Sequence, residues 1–409
     1  MSTNSRIYMD HAAATPVSAN VIARMESFFG VEYGNPSAIH KEGVLARRAM
    51  DDARLSIAKL LDVHANEIIF TGSATESANL ALIGVVRAWQ QSHPNGIPHI
   101  IVSAIEHSAV LLPAKVLEQE GVRVSYLSVD KGGIVEIGAL KEMITPETVL
   151  VSVMYANNEI GTIQPIQEIA KVIRKWKKEH RGVVRTEKPM ADDRLPLLHT
   201  DACQAANYCD MRIPSLGVDL LTLNAAKVYG PKGIGLLYAA RGTSFSPVIV
   251  GGAQESGRRA GTENVPAIIG FEEALTEARK MSDNESARLT ALRDRTIVKL
   301  SELSPNIIIN GSTRERLPNN VNFTVPNVDH EFLALALDAT GFAVATKSAC
   351  NEFDAETSHV LAAIRASEKS TAPASGIRLS FGRSTTSEDI DAFINVIEEI
   401  LATMFIDRR

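Results

Sequence analysis

Short apolar runs alternate with longer stretches in which apolar residues recur at helical spacing. The run Ile68–Phe70 reads as a strand, and a glycine-containing turn follows it. Leu80, Leu82, Val85, Val86 and Trp89 then trace one face of a helix. Ser73 and Glu76 stand at the S-x-x-E spacing of a capping box at that helix's start. "HIIVSAIEHSAVLLPAKVLEQEG" repeats the strand-then-helix rhythm, and "VRVSYLSVD" and "TVLVSVMYANNEIG" read as strands. "PIQEIAKVIRKWKKEH" reads as a helix opened by proline. "LPLLHTDACQ" predicts a strand ending at Asp201, and "LTLNAAKVYGPKGIGLLY" two strands flanking Lys227. Such alternation predicts α/β packing around a mostly parallel sheet.

The rhythm changes in the last third. "NVPAIIGFEEALTEARKM" predicts a long helix leading out of the first unit. From about Asn284, helices near Leu289–Leu303 and Asp389–Met404 are expected to flank the apolar runs "NNVNFTV", "FAVAT" and "GIRLSF". A chain of 409 residues exceeds the roughly 250–300 that a single core usually serves. The expected organisation is an N-terminal segment 1–16 packing with the small domain, a large domain 17–267 and a smaller α+β domain 268–409. "EKPMADDRLP", Glu187–Pro196, reads as an exposed insertion-like loop.

Composition narrows the partners. A net charge of −6 gives no support for a nucleic-acid surface. Cys203, Cys209 and Cys350 form neither a disulfide framework nor a CxxC pair, which suits a reducing compartment. No stretch reaches the roughly 18 apolar residues of a membrane span, and "MSTNSRIYMDHAAATP" lacks the apolar core of a secretion signal. A cytoplasmic protein is expected.

The polar residues then fall into a pattern. Ligands of α/β sheets bind beyond the C-terminal ends of the strands. Gly72–Thr75, Glu106–His107, Asn157–Asn158, Asp201 with Gln204, and Lys227 each follow a predicted strand. Any one alone reads best as a cap or turn residue; five in register point to a shared crevice. "TGSATES" reads either as an ordinary capped helix or as a phosphate cradle of backbone N–H groups. It matches neither a P-loop nor a dinucleotide fingerprint, and "HTDAC" lacks the spacing of a metal ligand set. A cradle, a lysine between core strands and an aspartate at a strand end together suit pyridoxal 5'-phosphate. Lysine bonds this cofactor covalently, and a carboxylate keeps its ring nitrogen protonated.

Here the sequence resembles the pyridoxal phosphate-dependent cysteine desulfurases of the class-V aminotransferase type. The resemblance runs through "YMDHAAATP", "YGNPSAIH", "TGSATES", "IEHSAV", "YANNEIG", "HTDACQ", "AKVYGPKGIG", "GGAQESGRRAGTEN", "SAC" and "IRLSFGR". It implies a fold-type I transferase that converts L-cysteine to L-alanine and passes the sulfur to an enzyme cysteine. The destination implied is iron–sulfur cluster assembly or tRNA thiolation, through a protein acceptor such as an iron–sulfur scaffold.

By the same resemblance Lys227 carries the cofactor and moves the proton at the substrate's α-carbon, and His107 stacks on the ring and serves as a catalytic acid–base group. Asp201 matches the partner of the ring nitrogen and Gln204 that of the phenolic oxygen. Ala74 and Thr75 match the phosphate cradle, and Thr262 a phosphate contact from the neighbouring subunit of a homodimer. Asn35, Asn158 and Arg378 match substrate-binding groups, with Arg383 the alternative carboxylate partner. Cys350 matches the nucleophile that takes the sulfur, while Cys203 is expected to point away from the cofactor.

One motif departs from the family. Serine and histidine usually stand where this chain has Asn224 and Ala226. Asn224 can keep one hydrogen bond to the phosphate, but Ala226 cannot replace the histidine. A selenocysteine lyase, an aminotransferase for a small amino acid and a non-catalytic sulfur relay are the competing readings. Cys350 favours the desulfurase over an aminotransferase.

Overall fold

The computed structural model describes residues 6–180, 194–346 and 357–406. Seven strands form the main sheet: β2 (Ile68–Thr71), β3 (His99–Ser103), β4 (Arg123–Leu127), β5 (Thr148–Ser152), β6 (Leu197–Asp201), β7 (Leu220–Asn224) and β8 (Gly235–Ala239). Their order is β2-β8-β7-β6-β5-β3-β4. All neighbours are parallel except β8, which runs antiparallel to β2 and β7. The C-terminal ends of β2, β3, β5, β6 and β7 therefore share one edge.

Alternation along the strands divides the core between two faces. Ile68, Phe70, Ile101, Val151, Leu198 and Leu221 pack into one cluster. Ile69, Ile100, Val102, Leu150, Leu197 and Leu220 pack into the other. Every residue of β5 and β6 is buried, as expected of strands covered on both faces. The edge strand β4 is largely open to solvent.

A second sheet orders β12 (Ile377–Ser380), β10 (Asn320–Thr324) and β9 (Ile308–Ile309) antiparallel. A third cluster around Phe323, Leu379, Phe381 and Phe393 supports it. The N-terminal strand β1 (Ile7–Tyr8) pairs with β11 (Phe342–Ala343), and Asp10 bridges to Ser380.

Two expectations are corrected. The helices foreseen on either side of Asn284 are one helix of 39 residues, Val265–Leu303. Nothing in "SDNES" breaks a helix, since it holds neither glycine nor proline. The Glu285–Arg288 ion pair, 2.8 Å, bridges that very turn. The capping box closes only by half. Ser73 Oγ accepts from Glu76 N at 3.1 Å, but the Glu76 carboxylate accepts from Gly72 N and pairs with Arg259, each at 2.8 Å. The helices Ala19–Gly30 and Lys41–Leu61 carried no expectation. Most of "EKPMADDRLP" lies outside the described residues.

Buried histidines tie stability to pH. His199 bonds Ser152 at 2.8 Å and Thr222 at 3.0 Å, and His99 bonds Thr148 at 2.8 Å and Ser125 at 2.9 Å. Burial pulls both imidazoles down to about 4, from 6.5. As pH falls below 6.5 the unfolded chain takes up these protons first, so their contribution is complete above 6.5 and is lost towards 4. Melting temperature is expected to drop across that window. A His199→Gln variant, which cannot titrate there, is expected to show a shallower drop.

Candidate active site

A cavity of about 160 Å³ opens at the shared edge of the strands. Ala74, Thr75, His107, Asn158, Asp201, Gln204, Asn224, Lys227 and Arg378 all line it. A larger cleft, about 520 Å³, meets Leu198, Asp219 and Tyr238 near the opposite strand ends and gathers none of these residues.

The helix Ala74–Ser92 starts at the cavity, capped by Ser73. Its first turn can sit there because β8 begins with glycine. A Cβ on Gly235 would lie 2.4 Å from Ser73 C and 2.7 Å from Ala74 N. His107 caps the next helix, its Nδ1 accepting from Ala109 N at 3.1 Å. A ring nitrogen that accepts cannot carry the proton, so Nε2 carries it. Burial lowers the His107 pKa, with Asp201 opposing and Lys227 adding to the shift. His107 is therefore a neutral ring.

Asp201 ends β6 and is 7 % exposed; its Oδ1 accepts from Cys203 N at 3.0 Å. Cys203 lines the cavity, and its Sγ donates to Thr222 O at 3.9 Å. Burial, then Asp201, push its thiol well above the ordinary range, so Cys203 is a poor nucleophile. Gln204 Nε2 donates to Ala12 O at 3.0 Å. Lys227 Nζ donates to Ala12 O at 2.8 Å and to Ala13 O at 2.5 Å.

The two asparagines after β5 divide their work. Asn157 holds its own turn, accepting from Glu159 N and Ile160 N and donating to Ile105 O. Asn158 lines the cavity. Arg378, on β12, donates to Asn158 O at 3.1 Å and pairs with Asp10 at 2.6 Å. Arg383 does not line the cavity. It pairs with Glu277 at 3.0 Å and stacks on Tyr229, 3.9 Å from the ring centre. Asn224 Oδ1 accepts from Ala226 N at 3.0 Å, closing the turn that precedes Lys227. Its amide nitrogen remains the group with which it can meet a phosphate.

Asn35 and Thr262 are exposed and do not line this cavity. Cys350 lies outside the described residues. Glu106 is fully buried, its Oε1 2.5 Å from Met154 N and its carboxyl pKa raised by burial. Sequence reasoning missed the carbonyls of Ala12 and Ala13, which have no side-chain signature. It also missed Asp10, although the motif containing it was noted.

Residues 7–393 match the model of the aminotransferase class-V family. The chain belongs to that family. It is 41% identical over 395 residues to the cysteine desulfurase IscS of Dictyoglomus turgidum, covering 97% of this chain and 94% of that protein. Among solved structures, a NifS-like protein superposes with a TM-score of 0.85 at 33% identity, over 97% of this chain and all of the other. The structure of SspA in complex with cysteine superposes with a TM-score of 0.74 at 33% identity, over 92% and 98%. The chain therefore stands among the cysteine desulfurases of the class-V family, with their α/β fold. Among the described residues, no helix is long and apolar enough to cross a membrane.

Proposed function

We propose that this protein is a cysteine desulfurase that works with pyridoxal 5'-phosphate, turning L-cysteine into L-alanine and loading the sulfur on Cys350. The observation that carries the reading is the meeting of Lys227, Asp201, His107, the start of the helix Ala74–Ser92 and Arg378 in one cavity. The donor set fits the cofactor. The N-terminus of the helix Ala74–Ser92, with Thr75 and Asn224, suits a phosphate. Asp201 suits a protonated ring nitrogen, Gln204 a phenolic oxygen, His107 a ring face and Lys227 the covalent bond.

When bound, the cofactor supplies the electron sink for the pair left at the substrate's α-carbon. The chain's own residues do the rest. Arg378 and Asn158 hold the substrate's carboxylate and fix the α-carbon. Lys227 takes the proton from that carbon and returns one. His107, neutral with its proton on Nε2, donates and recovers a proton beside it. The Cys350 thiolate attacks the substrate's sulfur, so an S–S bond forms as the C–S bond breaks. The former β-carbon collects a proton and becomes a methyl group. Cysteine plus enzyme thiol thus give alanine plus enzyme persulfide, with no outside oxidant.

The proposal extends to a cytoplasmic homodimer in which Thr262, and Asn35 with it, complete the neighbour's site; their exposure here supports that. A protein acceptor, such as an iron–sulfur scaffold, would take the sulfur. The division 1–16, 17–267 and 268–409 is part of the same reading; the pairing of β1 with β11 supports the docking of its first segment on the last. The test is an absorbance spectrum with and without L-cysteine beside an alanine assay. Cys350→Ala is expected to keep the cofactor's spectrum and its response to cysteine, yet to form almost no alanine. Unchanged turnover would remove Cys350 from the chemistry.

A further inference from the structure

Arg378 is the largest fully buried side chain of the described residues. Its guanidinium is already engaged. One nitrogen pairs with Asp10 at 2.6 Å and another donates to Asn158 O, while Nε is buried with no hydrogen-bond partner. Asp10 is held where it is by its own backbone. Ser380 N donates to Met9 O at 2.8 Å, and His11 N to Ser380 O at 3.2 Å, so the segment lies zipped along β12. The Tyr8 hydroxyl is 2.9 Å from both Asp10 O and Ala14 O. A carboxylate so fixed orients the planar fork of an arginine.

We infer that Asp10 is a specificity-setting positioning residue of the amino-acid site, acting through Arg378: it neutralises and orients the guanidinium before the substrate's carboxylate arrives. The inference rests on the reading of Arg378 as that carboxylate's partner. Two consequences follow from the charges. With Asp10 present, a bound carboxylate adds a second anion to one cation, and the like charges repel. Without it, Arg378 is an uncompensated buried cation, and a ligand's carboxylate becomes its counter-ion. Asp10 therefore weakens binding of carboxylates in general while fixing where one sits. The site gives up affinity for orientation, the exchange that favours turnover over tight product binding.

L-Alanine and ethylamine, which differ in the carboxylate, test this by spectral titration of the holoenzyme. Asp10→Asn is expected to bind L-alanine about tenfold more tightly with ethylamine unchanged. Its kcat and KM for L-cysteine are both expected to fall. Asp10→Glu, which keeps the charge, is expected to hold the alanine-to-ethylamine ratio near the parent's, and it serves as the folded control. Equal shifts for the two ligands in Asp10→Asn, or no shift in either, overturn the inference. Arg378→Met separates the underlying reading. It is expected to erase the advantage of L-alanine over ethylamine, and an intact advantage refutes Arg378 as carboxylate partner whatever Asp10 does.

Discussion

Lys227→Ala is expected to remove alanine formation by about 10⁴-fold or more while leaving a folded protein. General acid–base catalysis alone contributes about 10²–10⁴-fold, and loss of the covalent attachment adds to that. The side chain extends from the turn after β7 into the cavity, where Nζ meets the carbonyls of Ala12 and Ala13. Truncation leaves two carbonyls at a cavity that water can enter, so the structural cost is small. Lys227→Arg is the sharper control. It keeps a cation near those carbonyls, but a guanidinium does not lose its proton in proteins, so it is expected to be as inactive as alanine. Borohydride reduction of the parent holoenzyme, followed by peptide mapping, is expected to place the pyridoxyl group on Lys227. A label on another lysine, or turnover within tenfold of the parent in Lys227→Ala, overturns the assignment.

The position of Lys227 was legible because two apolar runs bracket it and because side chains just beyond strand ends converge in a parallel sheet. The same logic found Ala74, Thr75, His107, Asn158 and Asp201. Asp201 ends β6, and Asn158 lies on the loop that follows β5. That logic could not find the contribution of residues 10–13. Lys227 is met there by backbone oxygens, which every residue has, and Asp10 meets Arg378 across more than 300 positions of sequence.

Tertiary context also overrode local signals. The rhythm changes near Asn284, yet the helix Val265–Leu303 runs on through it with Ser282 buried and Arg288 bonded to the carbonyls of Gly382 and Thr385. Glu76 left its expected partner for the same reason: Arg259, remote in sequence, draws its carboxylate aside.

Asp201→Asn is expected to slow hydrogen exchange at the substrate's α-carbon by about 10²–10³-fold, with the fold and the bound cofactor retained. A carboxylate facing the ring nitrogen favours its protonated form, and the neutral amide withdraws that support. The fold should tolerate the change. The bond that Asp201 makes within its own turn is accepted by Oδ1 from Cys203 N, and the amide oxygen of asparagine accepts it equally well. Deuterium exchange into L-alanine measures the step directly, because alanine has no sulfur to lose and the readout bypasses Cys350. A second readout follows from the charge. Asp201 raises the pKa of the Cys203 thiol and opposes the lowering of His107 by burial. In Asp201→Asn both values are expected to fall, so Cys203 should react faster with a small alkylating agent at a given pH. Faster alkylation with normal α-exchange would show that Asp201 shapes the electrostatics of the wall without acting on the ring. Slower exchange together with faster alkylation is the outcome expected of a carboxylate that does both.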